Sequence, residues 1–339
     1  MPIRVGLVGY GTIGKRVADA IAMQKDMKLI GVTAHSYSFN TEVAKEKGYK
    51  IFTIPEGEAE LKANGVKVEG NMQNLMEQVD VVVDCTPKKI GKENIEKYYK
   101  PNKVKGLIQG GEKHETTGTS FVAQCNYNEA LNKDFARIVS CNTTGLCRTL
   151  DAINKKYQVQ SVHATMIRRG ADPGDIHHGP INAIVPVLEM PSHHGPDVQT
   201  VLHGMEIFTT ALSVPSTLMH VHTLTVDVKK KVSAEDVIEL FKNTTRVRIV
   251  RNAEHLRSTA EIIEFARDLG RLRGDMPEIC VWKEAIGTVQ NSHNKILYMQ
   301  AVHQESDVVP ENVDCIRAVT GFKDGQKSIE LTNKSFGMK

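Results

Sequence analysis

The first half of the chain alternates short apolar runs with longer amphipathic stretches. The runs are "IRVGLVG" (3–9), "MKLIGVT" (27–33), "VDVVVDC" (79–85) and "VKGLIQG" (104–110). Strands that are buried on both faces have this composition. Helical patterns separate the runs and lie near 13–23, 41–47 and 92–100. The alternation predicts an α/β domain with a Rossmann-type, doubly wound parallel sheet.

The pattern changes near residue 140. Stretches rich in β-branched residues now alternate with period two, as in "VQSVHATMIRR" (159–169) and "LMHVHTLTVDV" (218–228), which is typical of half-buried strands. They predict a second, α+β domain built on a mixed or antiparallel sheet. The tail reads as helical, with Pro310 near its start. We therefore expect one domain over 1–139, joined by a C-terminal helix at 303–339, and a second domain over 140–302.

Composition and charge exclude several classes of protein. The net charge is only +3, with acidic and basic residues interspersed, which gives no electrostatic footprint for nucleic acid. The apolar runs are far too short to span a bilayer, and the chain leads directly into a strand, so we expect no signal peptide. Six cysteines in 339 residues are too sparse for a secreted disulfide framework. We expect a cytoplasmic enzyme that binds neither nucleic acid nor a membrane.

A glycine motif follows the first predicted strand. In "VGYGTIG", Gly9, Gly11 and Gly14 form G-x-G-x-x-G between a strand and a helix. The first glycine permits a tight turn, the second lets the backbone approach a pyrophosphate, and the third permits close helix packing. The alternative is a plain strand-to-helix turn, but the position of the motif favours dinucleotide binding by the first domain.

The residues after the second strand bear on the choice of cofactor. An NAD site places a carboxylate there for the ribose 2′-hydroxyl, whereas "GVTAHSYSFN" has none before Glu42. The stretch also lacks Arg and Lys, so no strong clamp for the 2′-phosphate of NADP is evident. We predict that the protein uses both NAD and NADP.

Two cysteines six positions apart mark the start of the second domain, in "VSCNTTGLCRT" (139–149). Their spacing fits none of the usual zinc motifs, and a disulfide is unusual in a cytoplasmic protein. Cys141 lies where a strand gives way to a helical pattern, with Asn142 and Thr143 available as caps. A helix N-terminus favours a thiolate and its N–H groups can hold an oxyanion. We interpret Cys141 as a nucleophile and Cys147 as a packing residue, with a buried structural cysteine as the alternative for Cys141.

The stretch "SCNTTGLCR" closely resembles the active-site signature of the archaeal-type (class II) glyceraldehyde-3-phosphate dehydrogenases. The resemblance extends along the whole chain in the same order. It includes "LVGYGTIGKRVADAI", "QGGEKHE", "IRRGADP", "GPINAIVP", "PSHHGPDV", "STLMHVH" and "MQAVHQESDVVPENVDCIRA". It implies a phosphorylating aldehyde dehydrogenase of glycolysis or gluconeogenesis, using NAD or NADP, that forms a cytoplasmic homotetramer. Its substrates would be D-glyceraldehyde 3-phosphate and inorganic phosphate.

The resemblance also implies roles for individual residues. Cys141 would attack the aldehyde to give a thiohemiacetal and then a thioester, and His220 would act as its base. The implied substrate contacts are Ser140, Asn142, Thr143, Arg168, His194 and Gly195. The implied cofactor contacts are Gly9, Gly11, Thr12, Ile13, Gly14, Gly111, Arg169 and Gln304.

One stretch departs from the family, and several alternatives stay open. Many relatives carry Lys and Arg where this chain has "TAHSYSF", so a strong NADP preference is not expected. His220 and His222 with "SHH" (192–194) could form a metal site, but we interpret His222 as a satisfied histidine and expect no metal. The competing functions are a cysteine-dependent semialdehyde or acyl-phosphate reductase, and a non-catalytic dinucleotide-binding protein.

Overall fold

A computed structural model describes residues 1–109, 111–172, 179–289 and 293–338. Internal contacts divide the chain into two compact units, one formed by 1–140 with 308–338 and the other by 141–307. The sequence placed the corresponding domain boundaries at 139/140 and 302/303, and whether these units fold as separate domains stays a prediction. No helix in the described ranges is both long and apolar enough to cross a membrane.

The described part of the first unit contains one sheet in which every pairing is parallel. Its strands are β1 (Ile3–Val8), β2 (Met27–Thr33), β3 (Ile51–Thr53), β4 (Val68–Asn71), β5 (Val81–Asp84), β6 (Lys105–Gln109), β7 (Ser120–Phe121) and β8 (Phe135–Ile138). The strand order is β4-β3-β2-β1-β5-β6-β8-β7. The order changes direction between β1 and β5, which is where open α/β sheets bind ligands at the carboxyl ends of their strands.

Helices connect these strands. They are α1 (Gly14–Ala22), α2 (Phe39–Glu46), α3 (Pro55–Ala63), α4 (Met72–Met76), α5 (Ile90–Asn94), α6 (Lys100–Asn102), α7 (His114–Thr117) and α8 (Ala123–Asn126). A π-helical turn, Ile95–Tyr99, joins α5 to α6, and a 3₁₀ turn, Tyr127–Ala130, follows α8. The doubly wound parallel sheet predicted from the sequence is confirmed.

The second unit is built on a mixed sheet. Its strands are β9 (Val159–Arg169), β10 (Val185–Pro186), β11 (Ile207–Val214), β12 (His220–Val228), β13 (Val247–Val250), β14 (Ile279–Trp282), β15 (Gly287–Thr288) and β16 (Lys295–Val302). The order is β10-β11-β9-β12-β16-β14-β13, with β15 paired to β16. Its helices are α9 (Cys141–Tyr157), α10 (His194–Gln199), α11 (Ala234–Lys242) and α12 (Thr259–Asp268). The predicted mixed sheet is confirmed.

One face of this second sheet is buried, and we call it the inner face. Along β12 every second residue from His220 to Val228 is buried, and β9 and β16 follow the same alternation around Met166 and Gln300. The long helix α9 contacts β9, β12 and β16. Because side chains alternate across a strand, His220, His222 and Gln300 all lie on this inner face.

The C-terminal segment belongs to the first unit. The helical tail predicted from the sequence consists of two helices, α13 (Val309–Val319) and α14 (Gly325–Ser335), and Gly321 between them has a φ of +94° that a glycine adopts without strain. Every residue of α13 is buried. Arg317, only 1% exposed, donates from Nε to Asp26 at 2.7 Å and from Nη1 to Thr332 at 2.7 Å. These bonds fasten α13 to the start of β2 and to α14.

Candidate functional site

A cavity of about 930 Å³ opens in the first unit, at the carboxyl ends of β1, β2 and β5. Gly9 and Gly11 line it just after β1, Thr33 at the end of β2, and Cys85 and Thr86 just after β5. The position is the change in strand order where dinucleotides bind in such sheets. Its volume is within the range of small-molecule and cofactor sites.

The three glycines of the motif differ in what surrounds them. A Cβ at Gly14 would lie 2.0 Å from the carbonyl oxygen of Gly9, so only glycine fits there. Gly9 has a φ of +88° and its backbone N–H donates to Thr33 Oγ1 at 2.9 Å. A Cβ at Gly11 would meet nothing within 4 Å, so its backbone faces open space. This open glycine at the turn fits the close approach of a pyrophosphate.

Of the other predicted cofactor residues of the first unit, Thr12 and Ile13 lie next to this turn and Gly111 lies apart from it. Thr12 and Ile13 follow Gly11, and Ile13 precedes the first residue of α1. Gly111 is exposed in the loop after β6, where a Cβ would contact Lys88 at 3.3 Å; it is not among the described residues that line the cavity.

Sequence reasoning missed several lining residues because they come from distant elements. They include Glu56, Glu93, Lys97 and Tyr98. The choice between NAD and NADP was argued only from the residues after β2 and the family resemblance, whereas α3 brings Glu56 into the same cavity. The Tyr98 hydroxyl raises the pKa of Lys97, and the charges of Glu56 and Glu93 raise it further, so the cavity carries both signs of charge.

In the second unit, Cys141 is the first residue of α9 and holds a free thiol. Burial raises the pKa of this thiol, and the nearby charge of Asp307 raises it further. The backbone N–H groups of Asn142 and Cys141 and the charge of Arg169 act in the opposite direction. The helix start thus favours the thiolate as the sequence argument expected, but in the resting protein the burial outweighs it.

His220 opens β12 on the inner face and is 6% exposed. Its Nδ1 accepts a hydrogen bond of 3.0 Å from the backbone N–H of Arg169. Burial lowers the pKa of this ring well below its usual value, and the charges of His222, Arg169 and Arg168 add to the effect. The ring is therefore neutral at physiological pH, and because Nδ1 accepts, its single proton is on Nε2.

Two arginines end β9, next to the start of β12. Alternation along β9 gives Arg168 the parity of the inner face and Arg169 that of the outer face. The Nε atoms of both are buried and have no hydrogen-bond partner among the described residues, while Arg169 also pairs with Asp172 through Nη2. Buried guanidinium N–H groups without partners are suited to an anion.

The remaining predicted substrate residues of this unit are engaged with protein groups. Thr143 donates to Asp197 at 2.7 Å, and the Gly195 N–H donates to Thr209 Oγ1 at 2.9 Å. Asn142 and His194 are 5% and 2% exposed and lie 3.4 Å apart, Nδ2 to Nε2. Burial lowers the pKa of His194 to about 3, so this ring is also neutral. Ser140, which precedes α9, is partly buried.

Gln304 lies after β16 and is 6% exposed. Its Oε1 is buried and lacks a hydrogen-bond partner among the described residues, whereas its Nε2 donates to Glu305 at 3.4 Å. A buried amide oxygen without a donor is costly. It is suited to an N–H group supplied by a ligand.

The described residues do not form the cluster of ligands that the alternative of a metal centre requires. His222, which that alternative requires, contacts Asn142 and Gln300 through its two ring nitrogens. Across the residues that the structure describes, no group of three or more His, Cys, Asp or Glu side chains is arranged to hold a metal ion.

Two family models match the chain. The model described as glyceraldehyde 3-phosphate dehydrogenase, C-terminal domain, matches residues 140–292. The model described as dihydrodipicolinate reductase, N-terminus, matches residues 3–143.

Curated proteins resemble the chain over its whole length. The glyceraldehyde-3-phosphate dehydrogenase of Methanobacterium bryantii is 52% identical over 98% of this chain and 99% of its own. That of Pyrococcus furiosus is 52% identical over 100% and 99%, and that of Methanocaldococcus jannaschii is 50% identical over 100% of both chains. Among solved structures, aspartate semialdehyde dehydrogenase II from Vibrio cholerae matches with a TM-score of 0.66 at 12% identity, covering 94% of this chain and 99% of its own. At that identity the match concerns the fold alone.

Proposed function

Because the chain belongs to the glyceraldehyde-3-phosphate dehydrogenase family, we propose that it oxidises D-glyceraldehyde 3-phosphate and phosphorylates the product to 1,3-bisphosphoglycerate. The family resemblance and the oxidoreductase class predicted from the sequence are confirmed. The observation that carries the proposal is the free thiol of Cys141 at the start of α9, near the charge of Arg169. It combines a nucleophile with a helix N-terminus and a cation, as acyl transfer to an anionic substrate requires.

The proposed chemistry proceeds through sulfur. The Cys141 sulfur attacks the aldehyde carbon and forms a thiohemiacetal, while the thiol proton leaves to solvent. A nicotinamide cofactor supplies the acceptor for the hydride that leaves this carbon, and the sulfur then holds a thioester. An oxygen of inorganic phosphate attacks the thioester carbonyl, the carbon–sulfur bond breaks, and Cys141 is regenerated as the acyl phosphate departs.

His220 contributes through Nε2 in this scheme. Because the Arg169 N–H donates to Nδ1, the neutral ring presents Nε2–H as a donor. This supports a hydrogen bond from Nε2–H that stabilises the oxyanion of the thiohemiacetal and the departing thiolate, which takes its proton from solvent. The role of base implied by the family stays a prediction, since a proton added to the neutral ring at Nδ1 would face the Arg169 N–H.

The substrate and the attacking phosphate are both anions. The unpartnered Nε atoms of Arg168 and Arg169 support the proposal that these arginines bind phosphate groups, although the sequence assigned Arg169 to the cofactor. The predicted contacts from Ser140, Asn142 and Thr143 stay predictions, as do those from His194 and Gly195.

The cavity of the first unit fits a nicotinamide dinucleotide, with the open Gly11 at the pyrophosphate. The sequence assigns Gln304 to the nicotinamide carboxamide, and its Oε1, which has no partner among the described residues, supports that prediction. Use of both NAD and NADP is supported by the lack of a carboxylate in 33–38. Glu56 in the same cavity weighs against the 2′-phosphate, so we expect values of kcat/KM for the two cofactors that differ by less than ~100-fold, about 2.7 kcal/mol.

A homo-oligomer is supported by the outer face of the second sheet. Phe208, Leu297 and Met299 on this face are 46%, 39% and 44% exposed. Exposed apolar side chains on one sheet face support an association surface there. A tetramer with dihedral symmetry would pair this face across one two-fold axis. Light scattering after size-exclusion chromatography tests this, because Phe208→Glu should reduce the assembly to smaller species.

One assay tests the activity. NADH or NADPH formation is measured with glyceraldehyde 3-phosphate, with and without inorganic phosphate, for the wild type and for Cys141→Ser and Cys147→Ala. We expect turnover that requires phosphate or arsenate, a loss of more than ~10³-fold in Cys141→Ser, and a near-normal rate in Cys147→Ala. Turnover that ignores phosphate, or survives in Cys141→Ser, would overturn the proposal. A higher kcat/KM for aspartate semialdehyde would favour the related reductases instead.

A further inference from the structure

A line of buried polar side chains crosses the second unit beside Cys141, and the chemistry above does not use most of it. We propose that His222 and Gln300 are positioning residues for the thiol reaction, and that they act by holding the amide of Asn142 in one orientation. The inference rests on the proposed function, because it concerns the same nucleophile. It depends on which atom donates and which accepts in each hydrogen bond between Gln300, His222 and Asn142.

The side-chain amide of Gln300 determines which atoms donate and which accept along this line. Its Oε1 accepts from the Thr149 hydroxyl at 2.9 Å, so its Nε2 must be the donor on the other side. That Nε2 donates to the Gly145 carbonyl at 3.0 Å and lies 3.1 Å from His222 Nδ1. His222 and Gln300 are directly opposite each other on paired strands. Since an amide nitrogen only donates, His222 Nδ1 is an acceptor.

His222 transmits this direction to Asn142. The ring is fully buried, and burial lowers its pKa to about 3, so it carries one proton at physiological pH. With Nδ1 accepting, that proton is on Nε2, which donates to Asn142 Oδ1 at 2.9 Å. The amide oxygen of Asn142 therefore faces His222, and its NH₂ group faces the opposite way.

The contacts of Asn142 on the side away from His222 are consistent with this orientation of its amide. Its Nδ2 donates to His194 Nε2 at 3.4 Å, which leaves the proton of His194 on Nδ1, 3.1 Å from the Ser192 hydroxyl. Ser192 donates to Thr209 Oγ1 at 2.9 Å, and Thr209 donates to the Ser192 carbonyl at 2.9 Å. Every donor from Gln300 to Thr209 thus points in the same sense, and no proton is left over or missing.

The functional consequence concerns the second hydrogen of Asn142 Nδ2. One hydrogen binds His194, and the fixed orientation keeps the other on the side away from His222. Because Asn142 directly follows Cys141, this N–H is available to the oxygen that develops charge when the sulfur attacks. If the amide rotated by 180°, a carbonyl oxygen would replace that donor and oppose the charge.

The test compares three replacements. His222→Phe fills the space but removes both ring bonds, whereas His222→Gln keeps a donor at the position of Nε2. Asn142→Ala removes the amide itself. We expect His222→Phe and Asn142→Ala each to lower kcat by about 10- to 100-fold, the range that small misplacements at a reacting centre produce, with little change in cofactor KM. His222→Gln should stay within about fivefold of the wild type.

A double-mutant cycle separates positioning from general packing. If His222 acts through Asn142, the double variant His222→Phe/Asn142→Ala should be no slower than Asn142→Ala alone, within about threefold. Losses that multiply would overturn the proposal, as would a His222→Phe rate within threefold of the wild type. Loss of the phosphate requirement in the wild type would instead overturn the proposed function, so the two failures are distinguishable.

Two further variants guard against loss of folding. Tyr298→Phe removes a buried hydrogen bond of 3.0 Å to Thr149 but leaves the donor from Thr149 to Gln300 in place. It should lower the melting temperature and keep kcat within twofold, which is the matched control for a purely structural defect. If His222→Phe does not fold, Gln300→Met removes the amide that orients the ring, and its loss of kcat should again disappear in the Asn142→Ala background. A loss that persists there would contradict the proposal.

Discussion

The second and third glycines of the G-x-G-x-x-G turn should respond to the same substitution in opposite ways. In Gly14→Ala the new Cβ lies 2.0 Å from the Gly9 carbonyl oxygen, about 1.4 Å short of an ordinary contact near 3.4 Å. The obstacle is backbone, so α1 or the Gly9 peptide must move. Such overpacking costs about 1–3 kcal/mol. In Gly11→Ala the new Cβ meets nothing within 4 Å, and Gly11 is not among the described glycines with a left-handed φ.

Thermal unfolding and cofactor titration distinguish the two effects. Gly14→Ala should lower the melting temperature of the first unit by several degrees, since ~1 kcal/mol corresponds to about 2–4 °C in a domain of roughly that size. Gly11→Ala should leave the melting temperature unchanged and raise the Kd for NADH and NADPH by at least ~10-fold, about 1.4 kcal/mol. The loss of affinity follows because the added methyl group occupies the space that the pyrophosphate would enter.

Two results with these variants would contradict the expectations. If Gly11→Ala binds NADH within twofold of the wild type, the cofactor does not approach this backbone, and the assignment of the turn is wrong. A Gly14→Ala protein as stable as the wild type would mean that the turn relaxes without cost.

Three buried side chains, Glu278, His222 and Gln304, can also be tested by substitution or by NMR. Burial alone would raise the pKa of Glu278, but its two bonds to Arg271 lower it below the usual value, so Glu278→Gln should cost about 3 kcal/mol at pH 7. That cost should persist above about pH 4.3 and shrink as the pH falls further, because protonation removes the charge in the wild type; urea unfolding at pH 7 and at a pH well below that value measures it, and an equal cost at the two would contradict the assignment. His222 should show a protonated Nε2 and an unprotonated Nδ1 in nitrogen NMR from pH 8 to 5, since burial lowers its pKa to about 3; titration within that range would argue against the fixed tautomer. Gln304→Leu should raise the KM for NAD by up to ~10-fold, the value of one hydrogen bond, and an unchanged KM would remove Gln304 from the cofactor site.

Long elements with a clear period could be predicted from the sequence. In the stretch 159–169, apolar residues recur at every second position from Val162 to Met166, and β9 occupies Val159–Arg169. The two-residue strands Ser120–Phe121 and Val185–Pro186 are too short to produce a period, so nothing in the sequence distinguishes them from loops. The tail was recognised as helical, but its division at Gly321 depends on a backbone conformation that composition does not reveal.

The candidate site divides in the same way. The position of Cys141 at the start of a helix could be predicted because it depends on neighbours in the sequence, a strand before it and a helix after it. The contacts of His222 could not be predicted, because its partner Gln300 is 78 residues away and faces it only once β12 and β16 pair. The state of the thiol was also beyond sequence reasoning, since burial, which raises its pKa, depends on the packing around it.

The first unit is formed by two separate stretches of the chain, and this affects the order in which a nascent chain can fold. Residues 1–140 form that unit together with 308–338, and α13 lies buried within it. About 170 residues must be translated between these two parts, which takes roughly 10–30 s at ~5–20 residues per second. During that interval the apolar surface that will cover α13 has no partner. The second unit, continuous in sequence, is complete first although it emerges later, so the amino-terminal half is the part of the nascent polypeptide that most needs protection from aggregation during synthesis.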